Sequence, residues 1–387
     1  MKQKMIYLDN SATSWPKPPE VTSAMVRFME EVGANPGRSG HLLSIEAARV
    51  LYEAREVLST LFQVRDPSRI VFTLNATEAL NLVLKGLLKP GDHILTSSME
   101  HNSVMRPLRD LEKRGIALTV LPCLKDGTLD PEEVEKRIRS STRLVVLNHA
   151  SNVTGTLLPV RDVGTIVRRH HLLLLVDAAQ TAGAFPIDLE RDQIDFLAFA
   201  GHKSLYGPQG TGGLVLSERV REREITPLKQ GGTGSRSEFE EQPDFLPDLF
   251  ESGTPNGVGV AGLKAGVEFV LRKGVENIRH QEMDLAGRLW EGLKGIPGIQ
   301  LIGPQGKETR MPIVSFRLSQ QSPSKVASKL EKGFGILCRP GLHCAPAAHR
   351  TIGTFPEGTV RFSLSVFNSE AEIDTTLRAV SAISKEM

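Results

Sequence analysis

The sequence predicts an α/β protein, with a large domain on a mostly parallel seven-stranded sheet and a smaller α+β domain beside it. Three observations carry this. Over the first two thirds of the chain, short apolar runs alternate with helical patterns, and runs buried on both faces between helices are the mark of a parallel sheet. Near Gly262 the composition changes, and a long helical pattern leads into strands and helices of another kind. The chain of 387 residues is long enough for two cores. The expected division is residues 16–262 for the large domain, and 1–15 with 263–387 for the small one.

The seven expected strands are residues 70–74, 93–97, 117–122, 143–148, 172–177, 196–200 and 213–216, with helical patterns at 76–88 and 131–138 among the connections. Right-handed crossovers would set the strand ends, and any ligand, along one edge of such a sheet. The second part reads as one helical pattern over 267–293, strands at 299–302 and 311–318, a helix through 325–331, and a closing strand and helix. Residues 231–250 are rich in Gly, Ser, Glu and Pro, which points to a loop crossing a surface or subunit boundary.

Composition narrows the function classes. Hydrophobic residues at 40% and charged residues at 24% are ordinary for a globular protein. A net charge of +2 gives no reason to expect nucleic acid as a partner. The densest charged cluster, 219–223, alternates in sign and reads as a solvated helix face. No run approaches the roughly 18 apolar residues that span a bilayer, and residues 1–10 lack the pattern of a signal peptide. No membrane partner is expected, and the expected setting is the reducing cytoplasm. Three cysteines do not make a disulfide framework, so an important cysteine here acts as a thiol.

Several residues could do chemistry. The run LLLLVDAAQ delivers Asp177 to the carboxyl edge of the sheet, either as a helix cap or as a carboxylate facing a cationic ring nitrogen. Lys203 follows another strand end, in GHKSLYGP. Most lysines serve solubility, yet one at a dry sheet edge can lose its proton and form a Schiff base. The glycines after it lack the order of a phosphate-binding P-loop and equally suit a tight turn into a strand. Asn75-Ala76-Thr77 opens a helix directly after a strand. Its free amides, with the Thr77 hydroxyl, make an anion site, and capping by Asn75 is compatible with that.

The order D-x-x-Q, G-H-K, G-T-P-N across the chain resembles the class V, fold-type I enzymes that use pyridoxal 5'-phosphate. Within them it is most similar to the cysteine desulfurase and selenocysteine lyase group. The likeness includes YLDNSAT at the start, GRSGHLLSIEA, MEHN, HASNVTGT, ESGTPN, RPGLHC and VRFSLSVFN. By this resemblance Lys203 holds the cofactor covalently, Asp177 pairs with its ring nitrogen, Gln180 bonds its phenolic oxygen and His101 stacks on its ring. Ala76, Thr77 and His202 face the phosphate, joined by Thr254 of a neighbouring subunit, which implies a homodimer. Asn152, Arg339 and Arg361 face the substrate, and a guanidinium grips a carboxylate in a two-pronged fit. One departure stands out: where relatives often carry Ser or Thr two residues before His202, this chain has Ala200, so one phosphate contact is missing or replaced by water.

Three cysteines compete to receive sulfur. Cys123 and Cys338 sit at apolar strand-like stretches and read as packing residues. Cys344 lies in GLHCAP, where Arg339 and His343 would favour a thiolate if they face the sulfur. The desulfurase resemblance assigns Cys344 the persulfide, with L-cysteine as substrate, alanine as product and a sulfur-acceptor protein as partner. Arg361 follows 17 positions later (361 − 344), a spacing similar to the short-loop branch, in which the cysteine stays near the active site. The competing readings are selenocysteine lyase, another class V aminotransferase or lyase independent of Cys344, and a non-catalytic scaffold. The destination of the sulfur, whether iron–sulfur cluster assembly, tRNA thiolation or another pathway, stays open.

Overall fold

The structure is a computed structural model and describes residues 5–37 and 39–386. Arg38, in the GRSGHLL segment, lies outside the described residues, as do residues 1–4. A short strand, β1 (Ile6–Tyr7), comes first. The large sheet follows with β2 (Ile70–Thr73), β3 (His93–Ser97), β4 (Ala117–Leu121), β5 (Thr142–Asn148), β6 (Leu173–Asp177), β7 (Phe196–Ala200) and β8 (Gly212–Leu216). Their order in space is β2-β8-β7-β6-β5-β3-β4. Only β8 pairs antiparallel, with β7 on one side and β2 on the other. The other six strands therefore run in one direction, and their carboxyl ends share one edge.

The strands carry apolar residues on both faces because helices cover both. Val145, Leu147, Leu174 and Val176 point into one buried cluster, while Leu144, Val146 and Leu175 point into the other. Alternate residues of one strand thus fill two cores. The helix Leu42–Phe62 and the helix Gly257–Lys273 pack against each other across the first cluster.

The second sheet is antiparallel and built from β9 (Ile299–Ile302), β10 (Ile313–Leu318), β12 (Arg339–Gly341) and β13 (Thr359–Ser363), in the order β12-β13-β10-β9. Between them in sequence, β11 (Ile336–Leu337) pairs in parallel with β1. Leu8, Leu289, Trp290, Phe316, Phe362 and Ile383 fill the core under this sheet.

Three expectations need correction. The pattern over 267–293 is two helices, Gly257–Lys273 and Val275–Lys294, broken at Gly274. Gly274 sits at φ +82, a left-handed conformation that glycine adopts without the Cβ clash of other residues. Gly262 is therefore inside a helix, and the change of composition read there is not a break in the chain. The second helix packs Leu285 and Leu289 into the small core, whereas the first gives Leu263 and Val267 to the large one. The pattern at 131–138 yields only Glu132–Glu135 as α-helix, too short to pay back nucleation without tertiary support. The charged run at 219–223 is no helix face: only Glu222–Glu224 forms a 3₁₀ turn, and Arg219 turns inward to the buried Asp195 at 3.1 Å. Residues 231–250 contain no helix or strand.

Candidate active site

Five carboxyl ends of the large sheet converge on a cavity of about 240 Å³. After β2 come Asn75, Ala76 and Thr77; after β3, His101 and Ser103. β5 delivers Asn148 and leads to Asn152, β6 ends at Asp177 and leads to Gln180, and β7 ends at Ala200 just before His202 and Lys203. Arg339 and Arg361 close the cavity from β12 and β13. All the candidate residues except Cys344 and Thr254 line this one space. Thr254 lines a separate cavity of about 250 Å³, with Arg55, Glu78, Lys229 and Glu251.

The anion end forms as the local sequence dictates. Asn75 caps the helix Ala76–Leu87 by accepting the Glu78 amide at 2.9 Å, leaving the first-turn amides at the cavity. A Cβ on Gly212 would lie 2.7 Å from the Asn75 backbone, so glycine in β8 is what lets this turn settle against the sheet. His202 Nδ1 is buried without a hydrogen-bond partner among the described residues, and burial pushes the imidazole down to about 4, so it is neutral. A ligand oxygen there would satisfy an atom that is otherwise costly to bury. Ala200 offers no hydroxyl at this end. The nearby Thr211 hydroxyl donates instead to the Pro208 carbonyl at 2.6 Å.

Opposite charges face each other across the middle. Lys203 is pushed down to about 8, first by burial and further by Arg361 and Arg339, with Asp177 opposing. Asp177 Oδ1 accepts the Ala179 amide at 3.0 Å, so it caps its own turn while its carboxylate faces the cavity. Burial raises this carboxyl above the ordinary aspartate value and the charge of Lys203 counteracts that. Gln180 Nε2 donates to the Ser11 carbonyl at 3.2 Å, which ties the N-terminal segment to the cavity wall.

His101 caps the helix Asn102–Glu112, its Nδ1 accepting the Ser103 amide at 3.1 Å. An accepting Nδ1 leaves the proton of the neutral ring on Nε2, and burial with nearby cations holds the ring at about 4. The Ser103 hydroxyl lies 2.8 Å from His101 Nδ1 and 3.5 Å from Asp177 Oδ2. Sequence reasoning missed Ser103, because a serine at the second position of a helix, with His101 as the cap, carries no signal of its own. It also missed Glu100, which is fully buried and accepts from Ser97 Oγ at 2.5 Å and the Asn148 amide at 3.0 Å. Burial pushes Glu100 up to about 8, so it adds no second negative charge beside Asp177.

At the other end Arg361 is buried, and its Nη2 donates to Asp9 Oδ1 at 2.6 Å while Nη1 donates to the Asn152 carbonyl at 2.9 Å. Its Nε is buried and has no partner among the described residues. Asp9 was not among the candidates, because its partner lies 352 positions away. Beyond Arg361 the loop after β12 carries Cys344, exposed, with Arg339 Nη2 donating to its Sγ at 3.3 Å. His343 turns away from the sulfur: it is buried, and its Nε2 lies 3.0 Å from Thr359 Oγ1. Of the two neighbours expected to favour a thiolate, only Arg339 touches the sulfur. Cys123 and Cys338 are partly buried packing residues, and burial pushes Cys338 up to about 12.

The donor set fits a planar, phosphate-bearing aldehyde cofactor. A dry amine stands at the centre, a carboxylate beside it, an amide-rich helix start with an unsatisfied imidazole nitrogen at one end, and two guanidinium groups at the other. Known proteins agree. The aminotransferase class-V family matches residues 6–376. A probable cysteine desulfurase of Methanothermobacter thermautotrophicus is 36% identical over 373 residues, covering 95% of this chain and 92% of its own. The cysteine desulfurase of Escherichia coli is 34% identical over 388 residues, covering 98% and 93%. The apo cysteine desulfurase structure from Thermococcus onnurineus superposes with a TM-score of 0.92 at 35% identity, covering 99% of this chain and 95% of that one. Sequence and architecture thus agree along almost the whole length, and the chain belongs to the aminotransferase class-V family.

Proposed function

We infer that this chain is a pyridoxal-phosphate-dependent cysteine desulfurase, taking sulfur from L-cysteine to leave L-alanine and a persulfide on Cys344. The observation that carries the reading is Arg339, which lines the Lys203 cavity and also donates to Cys344 Sγ at 3.3 Å. The exposed thiol is thereby tied to the buried amine's pocket.

The residues that would hold the cofactor are Lys203, Asp177, Gln180, His101, Ala76, Thr77 and His202. When bound there, pyridoxal phosphate supplies an electron sink for charge developing at the substrate Cα. Lys203 Nζ, once free, takes the Cα proton. A pKa of about 8 keeps a useful fraction of it as base near neutral pH. The neutral His101 has its Nε2–H as the proton to lend. Arg361 and Asn152 bind the substrate carboxylate and orient the cysteine, with Asp9 holding the guanidinium in place.

Cys344 completes the chemistry. Its thiolate, favoured by the Arg339 guanidinium, attacks the substrate sulfur. An S–S bond forms as the substrate C–S bond breaks. The bonding electrons return to the carbon skeleton, which gains protons and leaves as alanine, and the sulfur stays on Cys344 as persulfide. An exposed Cys344 suits transfer to an acceptor protein, and the anchored short loop implies slow turnover without one. Thr254, placed outside its own chain's cavity, is available to the phosphate end of a second copy, which supports a homodimer. The three free thiols fit a reducing cytoplasm.

The deciding experiment incubates the yellow protein with cysteine and measures alanine, sulfide and the mass added to Cys344. Cys344→Ala is expected to keep the cofactor and lose sulfide release. Full activity in that variant would overturn the assignment. Equal turnover with and without an acceptor would overturn the acceptor half.

A further inference from the structure

Asn152 joins the two ends of the site through one residue. Its carbonyl accepts from Arg361 Nη1 at 2.9 Å, and its side-chain Nδ2 donates to the carbonyl of His343 at 2.7 Å. Its Oδ1 is buried without a partner among the described residues. Asn152 itself is buried and lines the cavity.

The carbonyl it holds begins an unusual stretch of backbone. His343 has φ +49 and Cys344 has φ +58, two successive non-glycine residues in the left-handed region. Such pairs persist only where surrounding contacts fix them, and they gather at functional sites. The contacts here are the Ala345 amide to the Leu342 carbonyl at 2.8 Å, the Asn102 amide to the Cys344 carbonyl at 2.9 Å, His343 Nε2 to Thr359 Oγ1 at 3.0 Å, Arg339 Nη2 to Cys344 Sγ at 3.3 Å, and Asn152 to the His343 carbonyl. Of the side chains in these contacts, Asn152 and Arg339 also face the cavity, Arg339 reaching the sulfur and Asn152 the backbone of the turn. A carboxamide has two N–H groups, so one can stay on His343 while the other meets a carboxylate resting against Arg361.

We propose that Asn152 is a positioning residue coupling the two sites, so that a carboxylate bound beside Arg361 fixes the His343–Cys344 peptide and with it the direction of the Cys344 sulfur. The proposal rests on the desulfurase reading of Cys344. Both N–H groups engaged on one rigid amide would make the loop stiffer when substrate is present than when it is absent.

The test compares wild type with Asn152→Asp, which keeps the shape and loses the N–H donors, and with Asn152→Ala, all loaded with pyridoxal phosphate. L-alanine exchanging its Cα hydrogen in heavy water needs Lys203 and the carboxylate grip but not Cys344. Persulfide formation on Cys344 in a single turnover at saturating cysteine needs all three. The expected result is that Asn152→Asp loses about tenfold more in persulfide formation than in exchange, the scale of one buried hydrogen bond.

The second readout is the rate of Cys344 alkylation by iodoacetamide, with and without saturating alanine. In wild type, alanine is expected to slow it by about threefold, a low-end hydrogen-bond effect, and in both variants that response disappears. Simple shielding by bound alanine would instead survive in the variants and overturn the proposal. Equal losses in exchange and persulfide formation would overturn it too. A measurable exchange rate shows that each variant is folded. Retained sulfide release in Cys344→Ala would sink the desulfurase reading, whereas its loss there alongside unaltered ratios in Asn152→Asp would sink the coupling alone.

Discussion

The Lys203 pocket and the Cys344 loop, which the proposed function joins in one reaction, are built in opposite ways. The pocket gathers the ends of five strands of a single sheet, so its spacing is set by backbone pairing that runs through the whole large core. Lys203 and Asp177 are buried deeply enough for desolvation to dominate their ionisation. Cys344 stands exposed between β12 and the short helix Pro346–Thr351, on a left-handed turn held by a few hydrogen bonds. Charge stabilisation benefits from a dry, preorganised wall, whereas a sulfur that must be handed on needs a way out. Each region has the burial its task requires.

Substitutions should separate the two regions. Lys203→Ala is expected to have the largest effect, lowering both alanine exchange and alanine formation from cysteine by about 10²–10⁴-fold, the usual range for a lost acid–base group. Cys344→Ala should leave exchange intact, and exchange that falls with it would erase the distinction. Asp9→Ala breaks the ion pair of a buried guanidinium and should cost about 3–5 kcal/mol of stability, read as a lower urea midpoint, with a raised KM for cysteine in whatever protein folds.

The pH profile sharpens the contrast. If Lys203 is the base, as proposed, it acts only when neutral, so exchange at saturating alanine should rise with pH toward a plateau above about 8. Below that it should fall about tenfold per unit. Arg339→Ala removes a cation that pushes Lys203 down, so the midpoint should move upward while the Cys344 contact is lost. The smallest effect belongs to Ser103→Ala, which removes the hydroxyl between His101 and Asp177. A loss of about 1 kcal/mol, or several-fold in exchange, should leave Cys344 alkylation unchanged.

Asp177, Lys203 and the Asn75–Thr77 turn were legible because they sit beside the strand signals that place them, whereas the roles of His101, Gln180, Asn152, His202, Arg339 and Arg361 were legible only through the family resemblance. Asp177 ends an unbroken apolar run and Lys203 follows another, so the period that marks a buried strand also marks its exit. The helices Pro19–Arg27 and Leu42–Phe62 escaped notice. The second presents Leu42, Leu43 and Ile45 to solvent, which blurs the amphipathic period of its first turn. Asp9 was invisible as a partner for Arg361 because a long-range ion pair leaves no local pattern. The break at Gly274 was readable in principle, since a glycine after Arg272 and Lys273 is a helix-end signal. The inward turn of His343 depends on Thr359, the first residue of β13, and no spacing rule reaches it.

The parallel pairing of β1 with β11, together with Asp9 on Arg361, has a consequence for the order of assembly. The large sheet has all its strands once residue 216 exists, and its pairings can form as the chain is made. Residues 6–10, made before the large sheet, have no sheet to join until 336–337 and 363 arrive, with the Ser363 amide donating to the Leu8 carbonyl at 2.8 Å. Closing so long a loop is the slow kind of contact. A growing chain would therefore complete the wall around Lys203 well before it could brace Arg361, and on the proposed reading the substrate's carboxylate would find its arginine fixed only when segments made before and after the large sheet meet.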